Sequence, residues 1–170
     1  MKVKILSDLH LEFSKLSLSY DNENLLILAG DISNSYDATL KLIENYLKLN
    51  KTVQVILVLG NHDYYGSSIE SIEEKWSKTN IPRFHYLQNS SVVIDGLRFF
   101  GSTMWTDLNH GDRWTINLVK ENLNDFTNIH GLNEKKWIKM HTECRESLQD
   151  TLRTTKEPVV VITHYLPLSN

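Results

Sequence analysis

Four short apolar runs constrain this 170-residue chain more than any other feature: Val3–Ser7, Leu25–Ala29, Val53–Leu59 and Pro158–Thr163. Each has the length of a strand and is largely apolar at successive positions, a pattern that predicts strands buried on both faces. Helical spacing appears between them. Ala38–Leu49 carries Leu40, Ile43 and Leu47 on one face. Ser68–Lys78 forms a second predicted helix, with Ser67 or Ser68 as N-cap. Leu132–Leu152 is the longest, with Trp137, His141, Cys144, Leu148 and Leu152 along one stripe. Ser91–Ile94 and Leu97–Phe100 flank Asp95-Gly96, which is a hairpin signal. Thr106–Gly131 is rich in Asn and Asp and reads as a long loop with at most short helices, a kind of segment that is often functional. The expected fold class is α/β, with mostly parallel buried strands flanked by helices and an added hairpin. Residues 1–170 read as a single domain.

Composition narrows the partners. The formal net charge of −3 gives no global positive field for nucleic acid or an anionic membrane, and no basic run marks a nucleic-acid groove. A phosphate-bearing ligand therefore needs a local attraction, which a metal ion supplies. The lone Cys144 excludes an intrachain disulfide and a multi-cysteine zinc site. The N-terminal residues lack the pattern of a signal peptide, and no apolar run approaches the ~20 residues of a membrane span. The expected location is cytoplasmic.

The chemistry lies in the residues just after each apolar run. Asp8-Leu9-His10 comes after the first, Gly30-Asp31 after the second, Gly60-Asn61-His62-Asp63 after the third and His164 after the fourth. Ligands of parallel α/β sheets bind at the carboxyl ends of the strands, so these residues can converge at one edge of the fold. Asp, His and Asn side chains suit divalent first-row metals. Asp31 has two oxygens and can bridge two ions. Gly30 and Gly60 permit sharp turns beside a crowded centre. Each motif alone is weak: Asp-x-His is usually surface polarity, and Gly-Asn-His-Asp alone reads as a turn. Their joint occurrence, in this order and each after an apolar run, predicts a metal site.

Taken together, Asp8-Leu9-His10, Gly30-Asp31, Gly60-Asn61-His62-Asp63 and Thr163-His164 resemble the successive motifs of the calcineurin-like metallophosphoesterase superfamily. Ser7–Glu12 and Gly101–Asp107 are further similar to small microbial and phage members. The resemblance implies an α/β sandwich and a dinuclear metal-dependent hydrolase acting on a phosphodiester or small phosphomonoester, nucleotides included. Asp8, His10 and bridging Asp31 would hold one ion; Asp31, Asn61 and His164 would hold the other. Manganese is the first expectation, with iron, zinc, nickel or magnesium as alternatives. Two such ions activate water to attack phosphorus in line. His62 would act as acid toward the leaving group or stabilise charge in the transition state. Asp63, grouped with His62 as a catalytic candidate, would orient His62 or His10, or serve as a structural turn residue. Leu11 after His10 and Ile32-Ser33-Asn34 after Asp31 depart from the protein-phosphatase pattern, which disfavours dephosphorylation of proteins.

The family also carries a Gly-His-x-His motif after the Thr-His strand, whose histidines complete the two metal sites. Only Tyr165–Asn170 come after His164 in this sequence. The expectation is therefore a chain truncated relative to the family, with an incomplete second sheet and weaker metal binding unless a partner chain supplies ligands. The rival expectation is a catalytically impaired remnant acting as a binding or assembly module. Among other tempting residues, His141 is expected to be a partly buried, hydrogen-bonded histidine and His85, His110 and His130 surface or loop histidines, although His110 could reach substrate if its loop folds over the site. Trp105 is expected to pack in the core, while Trp114 is open between packing and stacking. Tyr64 and Tyr65 either line the pocket or anchor the turn.

Overall fold

The two most apolar runs occupy the centre of the computed structural model, which describes residues 1–166. Strands β2 (Leu25–Ala29) and β3 (Gln54–Val58) pair in parallel, and Leu25–Leu28 and Val55–Val58 are all fully or nearly fully buried. Flanking them in parallel are β1 (Val3–Leu6) and a three-residue strand, β4 (Phe84–Tyr86), giving the order β1-β2-β3-β4. The short β4 has no counterpart in the apolar runs of the sequence. A second sheet has the order β5-β6-β7. Its strands β5 (Ser90–Ile94) and β6 (Leu97–Ser102) form the predicted hairpin, with Asp95 and Gly96 both at positive φ. Such a pair of left-handed residues matches the twist of the flanking strands. Strand β7 (Val159–Thr163) then joins β6 in parallel.

The run Pro158–Thr163 forms an edge of the second sheet. One expectation needs correction: the four runs are not all buried on both faces, since Ile5 of β1 is 66% exposed, and Val160 and Val161 of β7 are also exposed. Both strands are edge strands, so each has a neighbour on one side only among the described residues.

Period-two alternation divides the core. Leu25 and Ile27 of β2 and Ile56 and Val58 of β3 face Ile94, Phe99 and Ile162 of the second sheet, together with Leu87. Leu26, Leu28, Val55 and Leu57 point the other way and pack with helices α1 (Tyr36–Leu49) and α2 (Ile69–Ser77). Ser35 caps α1 by accepting from the Ala38 N–H, and Ser68 caps α2 by accepting from the Ser71 N–H. The stretch predicted as a long loop is more helical than expected. After a short turn, α3 (Leu108–Gly111), it forms α4 (Arg113–Asn122), capped by Asp112, and then α5 (Asp125–Asn128). The local cap explains the difference, because Asp112 satisfies the Thr115 N–H at the start of α4. Helix α6 (Glu134–Thr154) comes next and buries Trp137 and Cys144 against Trp105 and the second sheet. No helix among the described residues is long and apolar enough to cross a membrane.

Gly101 of β6 lies tightly against Val58 of β3 and against Leu87. A Cβ there would stand 2.4 Å from Leu87 Cβ and 2.8 Å from Val58 Cγ2. Gly101→Ala is therefore expected to force the sheets apart and to destabilise the fold by about 1–3 kcal/mol, the usual cost of overpacking. Thermal unfolding followed by circular dichroism checks this; an unchanged melting temperature would show that the interface has slack.

Candidate metal centre

The turns after β1, β2, β3 and β7 meet at one end of the two sheets. The first two are laced together as if the strands continued. Asp8 N–H donates to Gly30 O, His10 N–H to Asp31 O and Leu11 N–H to Ile32 O, all within 3.0–3.1 Å. Asp8, His10 and Asp31 all adopt positive φ, near 50°, with Gly30 at 89°. Left-handed backbone is unfavourable for residues with a Cβ, and its clustering here is typical of a site where the surrounding structure over-determines a turn.

Asp31 lies at the centre and is nearly fully buried. Its Oδ1 stands 3.5 Å from His164 Nε2 and accepts from the His62 N–H at 2.9 Å; its Oδ2 stands 3.8 Å from His10 Nε2. Burial pushes the Asp31 carboxyl up, while the imidazoles of His164, His62 and His10 and the His62 N–H draw it back. Asp8, His10 and Asp31 bring one ligand atom each within 4.8 Å of one another. Both histidines present Nε2 to Asp31 because Nδ1 is engaged elsewhere. His164 Nδ1 donates to Ala29 O at 3.1 Å, and His10 Nδ1 lies 3.1 Å from Glu12 Oε1. That tautomer leaves a lone pair on each Nε2. The Asp31 separations are long for hydrogen bonds. They suit ligands about 2.1 Å from a shared ion, which stand roughly 3.4 Å or more apart at tetrahedral angles. The donor set therefore fits divalent metal.

Glycine makes the crowding feasible. A Cβ on Gly30 would fall 2.3 Å from His164 Nδ1, and one on Gly60 would fall 2.1 Å from Asp31 Oδ1. The third motif wraps around this centre in a 3-10 turn over His62–Tyr64. The His62 ring is partly exposed. It sits edge-on to His10 with centroids 4.7 Å apart and stacks on Tyr65 at 4.2 Å. Asn61 is buried, and its Nδ2 donates to Asp125 Oδ1 at 2.7 Å. Asp63 is buried too, and both of its oxygens meet the main chain. Oδ2 accepts from Asp31 N–H and Gly60 N–H at 2.8 Å, and Oδ1 accepts from Ile32 N–H and Ser33 N–H at 3.1 Å. These bonds go to the turns that carry the ligand positions, not to the His62 or His10 rings. Burial pushes the Asp63 carboxyl up to about 7 against the pull of those N–H donors.

Sequence reasoning gave no role to Glu12. Its Oε1 lies 3.1 Å from His10 Nδ1 and 3.9 Å from His62 Nδ1. Burial acts to raise this carboxyl, but main-chain donors and the His10 ring hold it below the usual carboxylate range. The legible signal was the alternation Asp8-x-His10-x-Glu12, which a turn after a strand can aim at one point. The remaining tempting residues lie elsewhere. His141 is partly buried and bonds the Trp105 carbonyl; His110 is exposed and pairs with Asp107; His130 is exposed; His85 is half-buried and bonds Gln54. Trp105 is fully buried and Trp114 is 72% exposed. Tyr64 is buried, with its hydroxyl bonded to Glu73, whereas Tyr65 lies against His62.

Comparison with known proteins agrees with this architecture. The family model described as calcineurin-like phosphoesterase matches residues 1–170. An uncharacterised protein of Acanthamoeba polyphaga mimivirus, L509, is 25% identical over 195 residues, which span 98% of this chain and 68% of that protein. Among solved structures, the phosphopantetheinyl hydrolase PptH from Mycobacterium tuberculosis superposes with a TM-score of 0.59 at 15% identity. The match covers 97% of this chain and 68% of that one. At that identity the likeness is one of fold.

The Asp63 bracing makes a sharp prediction. Asp63→Asn keeps the shape but turns an NH2 toward two main-chain N–H donors whichever way the amide faces. Each stranded buried donor costs about 1–3 kcal/mol, so a loss of at least about 2 kcal/mol is expected in urea unfolding. An unchanged denaturation midpoint would show that the brace is dispensable. Gly60→Ala is expected to displace Asp31 and reduce bound metal, read by elemental analysis of the dialysed protein.

Proposed function

The chain belongs to the calcineurin-like phosphoesterase family, and from that premise we propose that it hydrolyses phosphoesters with two divalent ions. Asp8, His10 and Asp31 would hold one ion, and Asp31, Asn61 and His164 the other. The observation that carries this reading is the Asp31 carboxylate, whose two oxygens face His164 Nε2 and His10 Nε2 separately. When bound, the ions supply Lewis-acid charge to the phosphoryl oxygens and lower the pKa of water.

The chain's own residues do the rest. The Asp31 carboxylate, buried between His164 and His10, would supply negative charge shared by the two positions. Glu12 fixes the His10 tautomer through Nδ1. His62 is partly exposed beside His10, so its ring can meet a phosphoester from the solvent side and give a proton to the leaving oxygen. Tyr65 holds the plane of that ring by stacking. Asp63 acts through the main chain, as the brace that sets the turns of Asp31 and Gly60. The substrate class is a phosphodiester or a small phosphomonoester, nucleotides included. Asp8, His10 and Asp31 on one side, and Asp31, Asn61 and His164 on the other, would give each ion three ligands, with further positions open to water, substrate or a partner chain. The second reading is a chain that binds without turnover.

Hydrolysis of bis-p-nitrophenyl phosphate with added manganese separates the two readings. Turnover is expected with metal and is expected to vanish in Asp31→Asn, together with both bound ions. His62→Gln is expected to lower turnover about 10²–10⁴-fold, the range of a general acid, with metal content nearly unchanged. Absence of turnover in the wild-type chain with two ions bound would favour the binding module. Metal loss in His62→Gln with none in Asp31→Asn would overturn the assignment of roles.

A further inference from the structure

The stretch between β6 and α6 brings the Asp125 side chain, which has no solvent exposure, to the centre. Asp125 Oδ1 accepts from Asn61 Nδ2 at 2.7 Å and from the Tyr65 hydroxyl at 2.6 Å, and Oδ2 lies 3.4 Å from the Tyr165 hydroxyl. Asn61 and Tyr65 bracket the turn that bears His62, and Tyr165 directly follows His164. One carboxylate thus grips the segments of three proposed site residues. The main chain secures the contact, because Gly66 N–H donates to Asn128 O and Ser67 O accepts from His130 N–H, each at 2.8 Å.

The chemistry of the contact is directional. A carboxylate accepts and does not donate, so it takes the NH2 end of the Asn61 carboxamide. The carbonyl end of that side chain is then the free one. Hard divalent ions bind amide oxygen, and the amide nitrogen has no lone pair to offer them. The same carboxylate holds the hydroxyl of Tyr65, whose ring stacks on His62.

We propose that Asp125 is a positioning residue of this centre: it selects the carbonyl end of Asn61 for the metal and, through Tyr65, fixes the plane of His62. The proposal rests on the reading of Asn61 as a metal ligand. It assigns a function to a residue outside the proposed ligand set.

Manganese titration of the full chain by isothermal calorimetry, with folding monitored by circular dichroism, tests it. Asp125→Asn lets the amide at 125 pair with either end of Asn61. One of the two manganese ions is expected to bind about 10–100-fold more weakly, the usual cost of losing a partner behind a ligand. The exchange Asn61→Asp/Asp125→Asn restores one donor facing one acceptor and leaves an oxygen free at position 61. It is expected to recover affinity to within about threefold, on the same pairing logic. A merely structural role for Asp125 predicts no such recovery. The proposal is overturned if Asp125→Asn binds both ions as tightly as the wild type, or if the exchanged pair stays as weak as, or weaker than, the single variant. If Asp125→Asn does not fold, the exchanged pair decides alone, by binding two ions or failing to. Asp31→Asn serves as control: unaltered metal binding there would sink the metal centre itself, whereas a normal Asp125→Asn beside a metal-free Asp31→Asn would sink only the positioning role.

Discussion

The carboxylate of Asp63 accepts from four main-chain N–H groups, three in the turn after β2 and one just after β3. No strand supplies an acceptor for those four N–H groups, and buried N–H groups without a partner are costly. Asp63 supplies the missing acceptors from one side chain. It thereby holds Asp31 in a left-handed conformation at φ 55°, uncommon for a residue with a Cβ though less so for aspartate. The turn after β1 is then tied to that of β2 by main-chain bonds at Asp8, His10 and Leu11. The placement of the candidate ligands follows from this frame.

The centre also depends on the two sheets being held in contact. Asp8, His10, Asp31 and Asn61 come after strands of the parallel sheet, whereas His164 comes after β7 of the second. Its ring reaches Asp31 over Gly30, where no Cβ could fit. Gly101 plays the matching part deeper in the interface, letting β6 lie against Leu87 and Val58. Burial of Leu25, Ile27, Ile56, Val58, Phe99 and Ile162 between the sheets thus sets the distance at which His164 meets the other candidates. Apolar packing is the dominant favourable term in such an interface and has no direction of its own. The glycines give it the close approach that a metal centre needs.

Much of this was legible because strand-length apolar runs and the polar residues after them are local signals. β2, β3, the Asp95-Gly96 hairpin and the cap at Ser68 come from period, turn chemistry and capping alone, whereas the Ser35 cap, which starts α1 at Tyr36, was not read. Other features were not local. Lys4 in the first run already broke its apolar character, yet whether a run lies at an edge depends on what sits beside it. β4 is too short, at three residues, to produce a period. The role of Asp63 could not be separated from that of His62 by sequence, since adjacent residues in a turn can face opposite ways.

The order of the motifs, the identity of the candidate ligands and the α/β class were set by the sequence, because each depends on residues within a few positions of one another. Tertiary structure decided which sheet each strand joins, that Glu12 stands behind His10, that Asp63 braces main chain, and that Asp125 meets Asn61 across 64 positions. The bonds of Asp63 to the turn after β2 and of Asp125 to Asn61 join segments far apart in sequence. No local preference of the backbone encodes them, so only the folded chain reveals them.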